Sequence, residues 1–355
     1  MAKSHSKDRT SSKIRRRSPR IKSDHGPRRI VIRRPTSHLH DHPEQASPSG
    51  LPGLADPDEV TPGHECPSDE SSHPGGECED WSSKPDCPDE VSPLLKEWRG
   101  GIGGFVRHLD RLGIRYLAYS QVSSLEFCPY RYYLEYVRRV RLIPEPDYFI
   151  KGRIFHDALA RYYRGFARGR VPTLETLHKS IDRHNREDGH HLKNAITLAL
   201  QNIQDGWEVV AVEEPFVLQL GWGLPPCVGV IDLILRKGDC LAVIDHKSGR
   251  NFNENDGLQL AIYRQHVRHH FEAGACLARY DEYRWVNNLS RIRKPAFQRT
   301  EVPFEPDEWK QARERIARRH EEMLAIQMEK DARGGGSCYI CPFKEKCRKA
   351  SFGWW

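Results

Sequence analysis

Residues 229–250, GVIDLILRKGDCLAVIDHKSGR, carry most of the information about the fold. Two hydrophobic runs meet at the short sequence KGD, which predicts two antiparallel β-strands joined by a tight turn. Asp232 follows Gly-Val-Ile in the first run, and Asp245 follows Ala-Val-Ile in the second. Because side chains alternate along a strand, Asp245 and Lys247 lie on the same face. The hairpin therefore predicts a surface that presents two carboxylates and one ammonium together.

This combination favours a site for a divalent metal ion. A buried strand rarely contains a carboxylate that is neither paired nor bound to a cation, and two adjacent carboxylates repel each other. Carboxylate oxygens suit Mg²⁺ or Mn²⁺. A neighbouring ammonium can orient a water, help to deprotonate it and stabilise negative charge on a phosphate. The alternative is that Asp232 ends a strand and that Asp245 and Lys247 form an exposed pair at a turn. The apolar setting of both aspartates disfavours this alternative.

The segments around the hairpin predict an α/β fold, a mixed sheet flanked by helices. Ser120 or Ser123 is the predicted N-cap of the first long helix. The predicted helices cover residues 119–141, 148–169, 257–271 and 306–330, with a polar helical region before residue 205. The predicted strands lie within residues 207–222, 227–238, 240–249 and 281–289.

Charge is distributed unevenly along the 355 residues. Residues 1–34 carry a net charge of +11 and residues 41–92 carry −13, which leaves +9 for residues 93–355. Residues 1–92 lack apolar periodicity and are predicted to be a disordered charged tail. Residues 93–355 are predicted to form the folded domain, and their basic balance indicates a polyanionic partner.

Several classes of protein are disfavoured. The chain has no run of 18 apolar residues and no apolar signal segment, so we expect a cytoplasmic protein without membrane association. Its ten cysteines then indicate metal ligands and buried thiols in place of a disulfide framework. The sequence lacks G-x4-G-K-[ST], so any ATP-driven unwinding of a nucleic acid requires a partner.

The hairpin resembles motifs II and III of the PD-(D/E)XK nucleases, with Asp232 as the first acid and Asp245-His246-Lys247 as D-x-K. Upstream, His156 in GRIFH is similar to the motif-I histidine of the RecB-like branch. Downstream, Gln259 and Tyr263 in QLAIY are similar to the Q-x3-Y helix of that branch. The sequence S-x-x-S followed by CPYRYY (120–133) resembles its N-terminal signature. The resemblance covers roughly residues 115–350 and implies a restriction-endonuclease-like fold.

The resemblance also implies roles for these residues. His156, Asp232 and Asp245 would bind a divalent ion together with the backbone carbonyl of His246. Lys247 would position the attacking water, and Gln259 and Tyr263 would support the site or contact DNA. The implied activity is hydrolysis of phosphodiester bonds in single-stranded or end-bearing DNA, in repair, recombination or CRISPR adaptation. A helicase or an integration protein is the implied partner. The alternative is a catalytically inactive subunit that binds DNA or supports assembly.

Cys338, Cys341 and Cys347 form a C-x2-C-x5-C motif that supplies three thiolates for a metal. Cys128, Cys227, Cys240 and Cys276 are the candidates for the fourth, and the residues alone favour Cys128 only mildly. The motif resembles the iron–sulfur subset of the nuclease family, which includes AddB-type recombination nucleases and CRISPR-associated adaptation nucleases. That subset takes one ligand before the nuclease core and three after it. The resemblance therefore implies a 4Fe–4S cluster on Cys128 and the three terminal cysteines, and Zn²⁺ is the alternative.

Two segments, RYYLEYVRRVR and RYYRGFARGR, alternate arginines with aromatic residues. Aromatic rings can stack on bases and arginines can hold phosphates, so both segments are candidates for contact with DNA. Arg161, Arg164 and Arg168 fall on one face of the predicted helix. The alternative is that the aromatic side chains pack in the core and the arginines are simply solvated.

Overall fold

The computed structural model describes residues 90–183, 189–249, 251–252, 255–271, 275–284, 295–335 and 338–347. The predicted disordered tail lies, up to residue 89, outside the described residues. In the described part, the strands are β1 (Glu208–Leu218), β2 (Cys227–Lys237), β3 (Cys240–Gly249), β4 (Ala275–Arg284) and β5 (Ala296–Val302). The helices are α1 (Val91–Glu97), α2 (Ile102–Leu112), α3 (Tyr119–Phe127), α4 (Pro129–Tyr132), α5 (Asp147–Ala167), α6 (Leu174–Asp182), α7 (Gly189–Gln201), α8 (Leu258–His270) and α9 (Glu308–Glu329).

The five strands form one mixed sheet in the order β1-β2-β3-β4-β5. Strands β1, β2 and β3 are antiparallel neighbours, so the predicted hairpin is present and is part of a longer meander. Strand β4 runs parallel to β3, and α8 makes the crossover that a parallel connection requires. Strand β5 is antiparallel to β4 and lies at the edge of the sheet. The predicted α/β architecture, a mixed sheet flanked by helices, is confirmed.

Two apolar clusters cover the two faces of the sheet. Strand residues such as Leu233 and Ile244 pack with α5, α6 and α7. Residues such as Ile234 and Val243, one position along each strand, pack with α3, α8 and α9. The alternation of the hairpin sequence therefore sends successive side chains into two separate cores, which explains why both strands are apolar almost throughout.

The helix predicted over residues 119–141 is interrupted. It begins at Tyr119 with Ala118 in the N-cap position, so the assignment of Ser120 or Ser123 as the cap is wrong. At Cys128 the backbone is extended, with φ of −167°, and a short helix restarts at Pro129. The proline disfavours the helical conformation in the residue before it, which accounts for the break. The chain then continues through a π-helical turn, Tyr133–Val137.

Strand prediction was incomplete at the end of the sheet. The strand predicted over residues 281–289 overlaps only the last part of β4, and residues 285–289 lie outside the described residues. Strand β5 was not predicted. Its residues are all half-buried or exposed, so it has no apolar alternation that the sequence could reveal.

The aromatic residues of the two arginine-rich segments pack in the core. Tyr132, Tyr133, Tyr162 and Tyr163 are buried, whereas Arg161, Arg164 and Arg168 are exposed. The tyrosines in these segments are therefore not available to stack on bases. None of the described helices combines the length and the apolar character that a membrane span needs.

Candidate active site

The two strands of the hairpin separate next to the predicted site. The last bridged pair of β2 and β3 is Leu233 with Ile244, and Asp232 and Asp245 are the next residues beyond it. The backbone N–H of His246 donates a hydrogen bond to Asp232 Oδ2 at 2.8 Å. The Asp232 carboxylate accepts this backbone hydrogen bond at the point where the pairing between β2 and β3 ends. Both aspartates consequently lie where the strands diverge, which we call the fork.

Strand β3 and helix α8 build one side of the fork. Lys247 Nζ lies 2.7 Å from Asp245 Oδ2 and donates a hydrogen bond to Gln259 Oε1 at 2.8 Å. Gln259 Nε2 lies 2.8 Å from Asp245 Oδ1 and 2.7 Å from the Tyr263 hydroxyl. The ammonium of Lys247 also lies 5.6 Å from the centre of the Tyr280 ring. These contacts hold the lysine and the carboxylate of the D-x-K sequence in fixed positions.

Helix α5 and strand β1 build the other side. His156 Nδ1 lies 3.4 Å from Asp232 Oδ2. Glu213 on β1 falls opposite Asp232, between the paired positions Val212–Leu233 and Glu214–Ile231. His156, Glu213 and Asp232 each offer a ligand atom, and these three atoms all lie within 4.8 Å of one another.

Glu213 has a left-handed backbone conformation, with φ of +53°. A residue other than glycine adopts this conformation infrequently, and such residues are concentrated at functional sites. Strand β1 also contains a β-bulge between Val209 and Ala211, which shifts its register against β2. The local distortion of β1 brings the Glu213 carboxylate to the fork.

The pKa values at the fork indicate an excess of negative charge. Burial, and then repulsion from Asp232, raise the pKa of Glu213 to about 7. Burial is the main reason that the pKa of Asp245 is raised to about 6. Attraction to Lys247 lowers this pKa in part, and repulsion from Asp232 raises it again. Burial also acts on Asp232, but His156 and His246 outweigh it and lower the pKa to about 2.

The two bases at the fork respond to this negative charge. Burial disfavours the charged form of His156, but attraction to Asp232 dominates and raises its pKa to about 9. About a third of the His156 side chain is exposed, so solvent screens this interaction in part. Burial likewise disfavours the Lys247 ammonium, but Asp245 outweighs it and raises the pKa above its ordinary value. The close donor set of His156, Glu213 and Asp232 offers two carboxylates and one imidazole, and the predicted ligand Asp245 lies outside it. This set fits a hard divalent cation, which would relieve the repulsion among the acids.

The ring of His246 lies away from the fork. It stacks on Tyr163 with 6.1 Å between ring centres, and the Tyr283 hydroxyl lies 3.3 Å from His246 Nδ1. Burial lowers the pKa of this imidazole to about 4, so the ring is neutral at pH 7. His246 therefore reaches the fork through its backbone N–H, and its side chain anchors β3 in the opposite core. The role of its carbonyl as a metal ligand stays a prediction.

The structure brings the predicted site residues together. The predicted residues at the fork are His156, Asp232, Asp245, Lys247, Gln259 and Tyr263. Sequence reasoning gave Glu213 little weight, because a bulge and a left-handed residue leave no recognisable spacing. The only signal was a pair of acids, Glu213 and Glu214, inside an apolar strand sequence.

The four predicted cysteine ligands line one small pocket together. Cys128 is buried, whereas Cys338, Cys341 and Cys347 are half-buried, and all four are free thiols. Among the described residues, no three of these sulfurs lie within 4.8 Å of one another. The rival candidates Cys227, Cys240 and Cys276 lie on strands of the sheet, outside this pocket.

Comparison with known proteins agrees with this architecture. A sheet of five mixed strands flanked by helices, with acids on a central hairpin, is the arrangement of restriction-endonuclease-like nucleases. A sequence profile of the PD-(D/E)XK nuclease superfamily matches residues 116–348, and the chain belongs to this superfamily.

Solved structures with some similarity are distant. One is a candidate exonuclease from Eubacterium rectale, with 11% identity and a TM-score of 0.35 over 66% of this chain and 88% of that chain. Another is a protein named SSO0001, with 16% identity and a TM-score of 0.27 over 57% of this chain and 95% of that chain. No curated protein sequence matches the chain.

Proposed function

We propose that the protein is a divalent-metal-dependent DNA nuclease of the RecB-like branch. The observation that carries the proposal is the convergence of Asp232, Asp245 and Lys247 at the fork, with His156 beside them. The proposed substrate is single-stranded or end-bearing DNA. The proposed setting is repair, recombination or CRISPR adaptation beside a helicase or an integration protein. Residues 93–355 form the proposed nuclease domain.

His156, Asp232, Asp245 and the His246 carbonyl are the proposed ligands of Mg²⁺ or Mn²⁺, and we add Glu213 to this set. An ion bound here would acidify a water and stabilise charge on the scissile phosphate. The raised pKa of Lys247 keeps its ammonium charged at neutral pH. We therefore assign Lys247 to orienting the water and stabilising the negative phosphate, and not to removing a proton.

Gln259 and Tyr263 are proposed as positioning residues. Gln259 contacts both members of the D-x-K pair, and the Tyr263 hydroxyl lies beside the amide nitrogen of Gln259. This chain of contacts fixes the rotamer of Lys247 before substrate arrives, and preorganisation of a charged group of this kind accelerates a reaction.

The direct test is cleavage of labelled DNA by protein prepared without oxygen, in Mg²⁺ or Mn²⁺. We expect Lys247→Ala and Asp232→Ala to reduce the rate by at least about 100-fold, in line with the loss of a group that stabilises transition-state charge. Glu214→Gln is the matched control, since it removes a neighbouring acid of β1 outside the ligand group. If the wild type cuts no form of DNA, the protein is instead the inactive DNA-binding or assembly subunit.

The four cysteines are the proposed ligands of a 4Fe–4S cluster that joins the first helices of the domain to its last turns. A single zinc ion holds four sulfurs at about 2.3 Å, which requires them to lie close together. All four cysteines line one pocket, and the family resemblance favours the cluster over zinc. A backbone hydrogen bond from Tyr130 N to Arg333 O, at 3.0 Å, already joins the two halves of this clasp.

Replacement of Cys128 tests the clasp. A cluster that links Cys128 to Cys338 would close a loop of 210 residues, so we expect Cys128→Ala to lower the free energy of unfolding by about 5 kcal/mol. We also expect the loss of about four iron atoms per chain. Cys227→Ala removes a buried thiol outside the pocket and should retain the iron. Zinc in the purified wild type, with no iron and no colour, would contradict the cluster assignment.

A further inference from the structure

Exposed apolar side chains are concentrated beside the cysteine pocket. Of the eleven large hydrophobic residues that are exposed in the described part of the chain, five lie in residues 143–149 and 338–340. These five, which we call the platform, are Ile143, Tyr148, Phe149, Tyr339 and Ile340. Tyr339 and Ile143 are each 80% exposed, so they contribute almost nothing to the core. A group of exposed aromatic and aliphatic side chains of this kind indicates an interaction surface.

The two segments of the platform are joined in space. The rings of Tyr148 and Phe149 contact each other with their centres 4.5 Å apart. Tyr148 lies close enough to Arg131 and Cys341 for their charges to affect the pKa of its hydroxyl. Both of these residues line the cysteine pocket. Lys346 Nζ donates a hydrogen bond to the backbone carbonyl of Arg141 at 2.8 Å, which ties the last turn of the chain to the segment before the platform.

Positive charge surrounds the platform. The exposed cations next to it in sequence are Arg138, Arg139, Arg141, Lys344 and Lys346. Arg139 pairs with Asp110, and Glu345 is an exposed acid between the two lysines, which leaves an excess of positive charge. The nearby acids Glu145 and Asp147 form ion pairs with Arg153 and Lys151, which neutralise them. Exposed aromatic rings surrounded by basic side chains suit a single-stranded nucleic acid, whose unpaired bases can stack and whose phosphates are negative. An acidic peptide offers no bases to stack, and a neutral partner offers no negative charge.

Helix α5 connects the platform to the fork. Tyr148 and Phe149 lie in its first turn, and His156 lies on the same helix. From Tyr148 to His156 the helix rises by about 12 Å. A few nucleotides span this distance, so one strand can reach from the platform to the candidate active site.

We propose that the platform stacks the bases of single-stranded DNA and guides that strand towards the fork. The inference rests on the proposed nuclease function, and it assigns the aromatic contacts to a different surface from the one the sequence indicated. Four tyrosines of the arginine-rich segments are buried and the fifth, Tyr136, is half-buried, whereas Tyr148, Phe149 and Tyr339 are exposed.

The test is binding of a fluorescent thymidine oligonucleotide of about 16 nucleotides, without added divalent ions so that no cleavage occurs. We expect Tyr148→Ala, Phe149→Ala and Tyr339→Ala each to weaken binding about 5-fold or more, since one base stacks on each ring. Tyr148→Phe and Tyr339→Phe keep the ring and should bind as the wild type does. Phe304→Ala removes an aromatic residue of similar exposure outside the platform and serves as the matched control.

Two further measurements separate stacking from other roles. A 2-aminopurine base in the oligonucleotide should lose fluorescence on binding to the wild type, and the alanine variants should restore it. A blunt hairpin duplex should bind all variants equally, because its bases are already stacked. Unchanged affinity of every alanine variant for the single strand would overturn the inference and leave the platform to a protein partner.

A failure of the platform inference can be distinguished from a failure of the nuclease proposal. If the wild type cleaves DNA but the alanine variants bind and cleave as it does, the platform inference fails while the proposed function stands. If the wild type never cleaves but binds single strands through these rings, the nuclease proposal fails and the platform stands. Circular dichroism and iron content of Tyr339→Ala exclude loss of the adjacent clasp as the cause.

Discussion

Two aspartates of this sheet are equally buried and have opposite surroundings. Asp245 on β3 and Asp281 on β4 are each only 3% exposed. Asp281 accepts two hydrogen bonds from Arg299, at 2.8 and 3.0 Å, and lies 3.3 Å from Arg279 Nε. Asp245 has one cation, Lys247, and a second carboxylate close by in Asp232. Burial tends to raise the pKa of both, yet the two guanidinium groups lower that of Asp281, while that of Asp245 remains raised.

This comparison separates a charge that is buried for stability from a charge that is buried for function. The Asp281 carboxylate is satisfied without any ligand, because each of its oxygens accepts a hydrogen bond from Arg299. The fork has more acid than base, so a bound cation would relieve the repulsion there. A natural protein keeps such a destabilising arrangement where function requires it.

The largest expected effect comes from exchanging each aspartate for asparagine in metal-free protein. Asp281→Asn leaves two buried guanidinium groups without their carboxylate, so we expect the free energy of unfolding to fall by about 3–5 kcal/mol. Asp245→Asn removes a carboxylate whose charge is disfavoured, and we expect stability at pH 7 to be unchanged or higher. Urea unfolding at pH 7 measures both, and an equal loss in the two variants would break the comparison.

The pH dependence of stability should differ in the same way. The pKa of Asp281 lies below its unfolded value of about 3.9, so its contribution is present above that pH and is lost as the pH falls further. The pKa of Asp245 is raised to about 6, so its contribution is present below about pH 4 and is lost as the pH rises through 6. Glu213, with a pKa of about 7, acts in the same direction as Asp245.

Between pH 7 and pH 5 the lowered pKa values of the buried His246 and His266 act against those of Asp245 and Glu213, so the definite expectation concerns the difference between two proteins. Metal-free wild type should gain stability relative to Asp245→Asn as the pH falls from 7 to 5. Saturation with Mn²⁺ should reverse this trend, because metal binding needs the ionised acids. Thermal melting at several pH values, with and without Mn²⁺, checks both statements. A wild type that gains no stability relative to Asp245→Asn from pH 7 to pH 5 in the absence of metal would contradict the assignment of excess negative charge to the fork.

The smallest expected effect concerns Tyr263, which reaches Asp245 through Gln259. Tyr263→Phe removes the hydroxyl that lies 2.7 Å from Gln259 Nε2 and leaves the ring in the core. One buried hydrogen bond contributes about 1 kcal/mol, so we expect about a fivefold loss of cleavage rate with little change in substrate affinity. Tyr280→Phe, on the other side of Lys247, keeps its aromatic face and is the matched control.

The hairpin could be predicted because its information is local. The turn, the alternation and the two aspartates all lie within 22 residues, and Gln259 and Tyr263 follow at helical spacing. The predicted helix after the hairpin, α8, supplies the crossover that the parallel strand β4 requires.

The remainder depends on contacts between distant segments. Glu213 joins the fork through a bulge and a left-handed residue, neither of which a spacing rule describes. Arg299 reaches Asp281 from β5, an edge strand whose residues are half-buried or exposed and give no pattern. The sequence therefore revealed the acids of the hairpin, Asp232 and Asp245. It did not reveal that Arg299 pairs with Asp281 or that Glu213 adds a further acid to the fork.

Calorimetric titration of the metal-free protein with Mn²⁺ tests the central claim most directly. Excess negative charge at the fork predicts a binding event that Asp232→Asn and Asp245→Asn each weaken at least about tenfold, through loss of a charged ligand. Asp281→Asn, studied at a temperature where it remains folded, should bind as the wild type does. Equal Mn²⁺ affinity in the wild type and both fork variants would contradict the claim that the fork is a metal site.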